Sequence, residues 1–353
     1  MKVGSKLRIA AAMFFSFSIL AVFCFMPGKA VNGASDGLEL CIKTVIPSLF
    51  PFFVASSFFI RSGAVETLGK AVAPVSARLF GISGECSVVP VMGFVGGYPV
   101  GAAAAVQLDE SKRCTKREAE TLLAFCNNSG PAFILGMAGG NAVGSYKAGA
   151  LLMAVHILSA LAVGFLFRSA PEPGERIPVH ADPVSLSFAF TESVRNSVFQ
   201  LLTVCGYIVF FSVIISVQPF EGSAKAVFCG IAELSNGIAA MPAVFHSLPA
   251  LAAAVSFCLG WGGLSVHFQT LSLILPSGLS PKKYFIGKML HALISAAASL
   301  AVFSVVNISE TVFRTDTTPS VEAPVISSLG VLCCVLIITL YGIVYFVKKL
   351  QKR

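Results

Sequence analysis

Long apolar runs separated by short polar turns dominate the chain. Unbroken runs cover about 9–26, 43–60, 120–141, 146–167, 197–217, 224–244, 284–307 and 325–347. Each is close to the roughly 20 residues that a helix needs to cross a bilayer core, so eight spans are predicted. Two further stretches, about 85–108 and 248–276, are equally apolar but interrupted by Gly and Pro, which predicts broken helices. The first run could also be a signal peptide, with Gly28-Lys29-Ala30 as a small-residue site. Its length and its bulky end (Phe23, Phe25, Met26) favour a retained span.

Basic clusters predict the inner face. They are Lys2/Lys6/Arg8, Arg61/Lys70/Arg78, Lys112/Arg113/Lys116/Arg117, Arg168/Arg176, Lys282/Lys283/Lys288 and Lys348/Lys349/Lys352/Arg353. The segment around Glu310, Arg314, Asp316 and Glu322 has no basic excess and reads as outside. With both termini cytoplasmic, the count closes if 85–108 and 248–276 each enter and leave on one face. Both therefore read as re-entrant hairpins, which are tolerated where protein or water satisfies the backbone.

Composition agrees with this picture. AVILMFWYC make up 56% of the 353 residues and charged residues only 12%, too few to cover a soluble surface. Disorder and a disulfide-stapled secreted fold are excluded by the same numbers. The net charge of +8 sits in short loops and at the ends, where it reports sidedness and not a nucleic-acid partner. The ten cysteines are scattered through apolar runs, apart from Cys114, with no C-x-x-C pair; they read as small hydrophobes. No P-loop, H-E-x-x-H or dinucleotide fingerprint is present, so no cofactor is expected.

An internal repeat is expected. Val95-Gly96-Gly97-Tyr98-Pro99-Val100 lies on Trp261-Gly262-Gly263-Leu264-Ser265-Val266, 166 residues on, and Thr115-Lys116-Arg117 falls on Pro281-Lys282-Lys283 at the same offset. Gly81-Ile82-Ser83-Gly84-Glu85 echoes Gly230-Ile231-Ala232-Glu233 at a different spacing. Whether the halves are parallel or inverted stays open. The fold class is thus an all-α polytopic membrane protein, about eight spans plus two re-entrant or broken hairpins, in two repeats. The expected divisions are 1–37 (first span and connector), 38–168 and 188–307 (gate-like repeats), 169–187 (polar linker) and 308–353 (outside loop and last span).

Four polar constellations interrupt the apolar runs. Gly93, Gly97 and Gly101, four apart, would share one helix face, while Gly96, Gly97, Tyr98 and Pro99 predict an unwound segment offering backbone groups to a substrate. A plain kinked helix crossing is the alternative. Asn127, Asn128, Ser129 and Gly130, before Pro131, are costly in lipid unless partnered. They either bind a ligand or join helices by hydrogen bonds. Glu233, before Ser235 and Asn236, is an intramembrane carboxylate suited to a coupling proton or Na⁺, unless it lies at an interface and is solvated. Glu85 offers the same choice with weaker support. Gly262, Gly263, Ser265 and Gln269 form the fourth group. Ser265, His267 and Gln269 alternate as a broken segment would, yet on a regular helix Ser265 and Gln269 share a face. Gly81-Ile-Ser83-Gly84 matches a serine-protease form in miniature, with His156 or His291 as conceivable base, but four residues are a weak signal. The five histidines lack metal-ligand spacing. Counting Lys288 with the inner basic cluster leaves no Arg or Lys expected deep in a span.

These motifs resemble the YlbJ-type sporulation integral membrane proteins. The residues concerned are Met92–Ala102, Thr115–Ala119, Phe125–Pro131, Glu233–Gly237 and Gly262–Val266 with Gln269, then Tyr284 and Lys288. The likeness spans about Leu38 to Asn307. That family is similar to proteins with nucleoside-recognition (gate) domains, related to concentrative nucleoside carriers. The resemblance implies a sporulating Firmicute-type bacterium and passage of a small solute, in that family dipicolinate, toward the developing spore.

The expected function is a two-repeat carrier or facilitator in a bacterial cytoplasmic-type membrane. Its partners are a small anionic or heteroaromatic solute, the lipid bilayer and a coupling proton or Na⁺, with no nucleic acid; a homo-oligomer stays open. The alternative is a non-transporting membrane partner or regulator of a sporulation complex, acting through loops such as Asp109–Glu120. No nucleophile–base pair supports an enzyme.

Overall fold

The computed structural model describes residues 3–82, 84–168 and 185–306. The expected last span at 325–347, the outside loop, most of the polar linker and Ser83 of the protease-like tetrapeptide lie outside the described residues. Those described are all helical, with no strand.

The chain runs α1 (Val3–Phe25), α2 (Pro27–Leu40), a π-turn (Cys41–Val45), α3 (Ile46–Arg61) and α4 (Ala64–Phe80). After a 3₁₀ turn (Gly84–Val88) come α5 (Val89–Gly96), α6 (Val100–Glu110), α7 (Lys116–Leu123), a π-helix (Phe133–Val143) and α8 (Tyr146–Leu166). The second half holds α9 (Leu186–Val217), α10 (Gly222–Ala232), α11 (Leu234–Ala240), α12 (Leu248–Trp261), α13 (Gly263–Ser277) and α14 (Lys282–Val305).

Among the described residues four helical stretches are long and apolar enough to cross a membrane: Tyr146–Leu166, Leu186–Val217, Leu248–Ser277 and Lys282–Val305. The number rises to six if two bent pairs count as one span each, Ala12–Phe25 with Pro27–Lys43 (104°) and Leu68–Phe80 with Gly84–Gly96 (83°). Rows of large side chains stay exposed, such as Phe14, Phe17 and Leu20 on α1, Phe188 and Phe199 on α9, and Met289 and Leu293 on α14. In water such rows would be a liability; in lipid they are the solvated face.

Three expectations are corrected. The runs at 120–141 and 224–244 are not continuous helices: each is cut at its polar cluster, the first between Leu123 and Phe133, the second at Glu233. Polar side chains and Gly/Pro in those runs divert the backbone from the helical ladder. Conversely, 248–276 is not a re-entrant hairpin. α12 and α13 follow one 30-residue course, Leu248–Ser277, through two consecutive left-handed residues, Gly262 (φ +87°) and Gly263 (φ +80°). Glycine reaches that conformation without steric cost, so the pair closes one helix and opens the next.

The first broken segment does fold back. Gly93 and Gly101, eight residues apart, would be about 12 Å apart along one helix at 1.5 Å per residue. Instead a Cβ on Gly101 would lie 3.0 Å from Gly93 Cα. α5 and α6 are therefore a helical hairpin, turned by Gly97 (φ +78°) and a cis Tyr98–Pro99 bond. The glycines do not share one helix face as spacing predicted; they face each other across the hairpin. The Cys126 carbonyl oxygen sits between them, 1.7 and 2.0 Å from where their Cβ atoms would be.

Small residues also fix the outer packing. Gly33 and Gly37 of α2 meet Ser212, Ser216 and Val209 of α9 at distances that exclude a Cβ. α12 and α14 approach at Gly260 and Ala292, and are joined by Ser256–Ser299 (2.6 Å) and by Ser295 Oγ donating to the Ser256 carbonyl (3.0 Å). Such small-residue crossings and hydroxyl bridges replace the hydrophobic drive that lipid does not provide.

Candidate functional site

Four helix breaks meet in the middle of the molecule, in two pairs. The hairpin turn at Gly97 packs on Gly130, with the Gly130 nitrogen 3.0 Å from where a Gly97 Cβ would be. The α12–α13 break packs on the α10–α11 break: a Cβ on Gly263 (φ +80°) would lie 3.0 Å from Glu233 Cα. Tyr98 ties the pairs together. Its ring rests against Gly262, and its hydroxyl donates to the Leu259 carbonyl at 2.6 Å.

In the first pair the chain between α7 and the π-helix carries Asn127, Asn128 and Ser129, all essentially sealed from solvent. Asn127 Nδ2 donates to Thr270 Oγ1 (2.9 Å), Asn128 Nδ2 to the Phe125 carbonyl (2.8 Å), and the Ser129 backbone N–H to His156 Nε2 (3.2 Å). The Gly130 carbonyl accepts from Ile134 N as the helix resumes. Asn127 Oδ1, Asn128 Oδ1 and Ser129 Oγ have no hydrogen-bond partner among the described residues. Buried polar atoms are normally paired, so unpaired ones at a break call for a ligand, a water or an ion.

In the second pair Glu233 is extended (φ −148°, ψ 131°) and caps α11. Its Oε2 accepts from Asn236 N (2.8 Å) and Asn236 Nδ2 (2.9 Å). At 3% exposed it is buried, not solvated at an interface. Ser265 and Gln269 lie on a regular α13, where Gln269 Nε2 donates to Ser265 Oγ (3.1 Å); the alternating, extended reading does not hold.

Between the pairs lies a cavity of about 120 Å³. Gly96, Gly97, Tyr98, Ser129, Gly130, Glu233, Ser235 and Gln269 line its polar side, so all four constellations contribute. Leu49, Phe52, Val204 and Ile208 from α3 and α9 close the apolar side. Pro99, Asn127, Asn128, Asn236, Gly262, Gly263 and Ser265 do not line it; of these, Asn236 bonds Glu233, Ser265 bonds Gln269 and Gly262 touches the Tyr98 ring. Glu85 is elsewhere, its carboxylate 3.1 Å from Arg113 Nη1.

The polar stripe of α14 escaped the sequence reading. Tyr284, Lys288, His291, Ser295 and Ser299 recur at helical spacing, and all are at most 1% exposed. Lys288 is not in a basic loop: its Nζ donates to Tyr98 Oη (2.5 Å) and to the Asn127 carbonyl (3.1 Å). Tyr284 Oη meets His267 Nδ1 (2.8 Å) and Thr270 Oγ1 (3.3 Å), while His291 Nε2 donates to the His156 carbonyl (3.0 Å). The signal was a run of polar residues at i, i+4, i+7, i+11 and i+15 on one face of an apolar helix. Away from the cavity, Cys86, Cys114 and Glu118 bring their ligand atoms within 4.8 Å of one another, a grouping that spacing did not reveal. Glu118 Oε2 there already accepts from Thr115 N and Oγ1 in a capping box.

Residues 42–146 match the family model described as nucleoside recognition (Gate), a stretch that contains the first pair of breaks and not the second. The chain is also similar to the sporulation integral membrane protein YlbJ of Bacillus subtilis (strain 168), 29% identical over 327 residues, covering 81% of this chain and 80% of that protein. No solved structure matches it. The chain is thus an integral membrane protein that resembles the YlbJ-type sporulation proteins over most of its length and carries a Gate segment at its first pair of breaks.

Proposed function

We propose that this protein carries a small anionic or heteroaromatic solute across a membrane during sporulation, with dipicolinate as the solute. What supports the reading is the convergence of four helix breaks on one cavity lined in part by amide, hydroxyl and carboxylate groups, with unpaired buried oxygens at the break over Asn127–Ser129. Broken helices meeting at a repeat interface are the usual construction of a transporter site. The repeats 38–168 and 188–307 each supply one pair of breaks, and Glu233 takes the coupling proton or Na⁺. The termini are placed on the cytoplasmic side, in a membrane facing the developing spore.

The test is uptake of labelled dipicolinate into proteoliposomes, wild type beside Glu233→Gln, with and without a pH or Na⁺ gradient. Gradient-driven uptake that the variant loses is the expected result. Uptake indifferent to gradients would make the protein a facilitator and remove Glu233 from coupling. No uptake by folded protein under any gradient would overturn the transport reading in favour of a non-transporting partner.

A further inference from the structure

Lys288 is the residue that the proposed site has not used. It is 1% exposed, and none of the ion pairs found among the described residues involves it. An ammonium group has three N–H donors; the two partners found here are both neutral, the Tyr98 hydroxyl and the Asn127 carbonyl. The amine also lies 4.6 Å from the centre of the Tyr98 ring. Burying a charge without a counter-charge is among the most expensive arrangements in a folded chain. Such a group is kept where something pairs with it for part of a working cycle.

The geometry points to that partner. Tyr98 both lines the cavity and accepts from the Lys288 amine at its hydroxyl, so one residue links the amine to the cavity. Ser129, two residues beyond the Asn127 carbonyl that holds Lys288, lines the same cavity with an unpaired hydroxyl. We propose that Lys288 is the anion receptor of the cavity and that Tyr98 is its latch: the phenol occupies the amine in the empty site, and a solute carboxylate displaces it. The inference rests on the transport reading above and names the charge that its solute needs. Glu233, which also lines the cavity, repels the same anion, which gives a coupling cation its reason to bind there first.

The sole tryptophan reports on the site, because Trp261 precedes the Gly262 that the Tyr98 ring touches. The experiment is a fluorescence titration of the full-length protein in detergent with pyridine-2,6-dicarboxylate and with its neutral analogue pyridine-2,6-dicarboxamide. Wild type is expected to bind the dicarboxylate. Lys288→Met, which keeps the stem and removes the charge, is expected to weaken it at least tenfold and to leave the diamide within twofold. Tyr98→Phe frees the amine, so dicarboxylate binding should hold or tighten; it carries the test if the Met variant misfolds. Equal dicarboxylate binding by wild type and Lys288→Met overturns the receptor and leaves the carrier standing. So does equal loss of both ligands in a Met variant that melts like wild type. Wild type that binds the diamide alone overturns the anion assignment but not transport of a neutral solute. Wild type that binds neither takes the transport reading down with it.

Discussion

The two pairs of breaks use the same backbone device for opposite chemistry. At Gly97–Gly130 and at Gly263–Glu233, a glycine in the left-handed region lets one broken helix touch the backbone of another. Around the first contact the side chains are neutral amides and hydroxyls, three oxygens have no partner among the described residues, and the nearby charge is the Lys288 amine. Around the second the charge is a carboxylate, already engaged as a helix cap. The first pair is held by a carbonyl clamped between two glycines, the second by a single cap and a gentle break. The lesson is that close backbone approach only sets the position of a site; what the site can hold follows from which charge is placed behind the contact.

The sharpest way to break this contrast is Gly101→Ala. Its Cβ would meet the Cys126 carbonyl at 2.0 Å, and a backbone atom cannot swing aside as a side chain does. The cost should exceed the roughly 1–3 kcal/mol typical of overpacking, seen as lost membrane abundance or a large fall in melting temperature. Gly262→Ala in the second pair meets only side chains, Val266 at 3.3 Å and the Tyr98 ring at 3.4 Å, and strains its φ of +87°, for which about 1–3 kcal/mol is expected. Comparable melting temperatures for the two variants would mean that the clamp is no stiffer than the break.

Next come Asn128→Ala and Glu233→Ala, one from each pair. Both should abolish uptake while leaving membrane abundance intact, and Glu233→Ala should lose about 1 kcal/mol of cap in addition. Normal uptake by both variants would mean that the cavity is not the site. Tyr98→Phe cuts the link between the pairs by removing the bond to the Leu259 carbonyl. It should cost about 1–2 kcal/mol, the worth of a hydrogen bond between buried partners, read as thermal unfolding of the purified protein. Smallest is Ser256→Ala, which touches neither pair. Losing the Ser299 bridge should cost about 0.6 kcal/mol, the average for such bonds in lipid, and leave uptake unchanged.

Much of what gathers at the cavity was legible in advance. Gly96–Pro99, Asn127–Gly130, Glu233 and Gly262–Gln269 all stand out as polar or flexible residues inside apolar runs, and each supplies residues that line or hold the cavity. Where each helix bends was not legible. Hydropathy counts apolar residues and is blind to direction, so 120–141 and 224–244 read as continuous although their polar clusters divert the chain. The stretch 248–276 read as a hairpin although two left-handed glycines, Gly262 and Gly263, let the helix carry on. Lys288 was obscured by a rule of thumb that assigns lysines to loops. Its spacing with Tyr284, His291, Ser295 and Ser299 contained the correction.

That stripe on α14 bears on how the protein is made. Each hydrogen-bond partner found for it outside α14 precedes it in the chain: Tyr98, Asn127, His156, Ser256, His267 and Thr270. A helix entering lipid alone with a lysine, a histidine and two serines on one side would face a steep insertion barrier. Translated after its partners, α14 can leave the ribosome toward a groove that already offers matching acceptors and donors. Its insertion is then assisted by the segments made before it, and the order of synthesis becomes part of what lets so polar a helix live in a membrane.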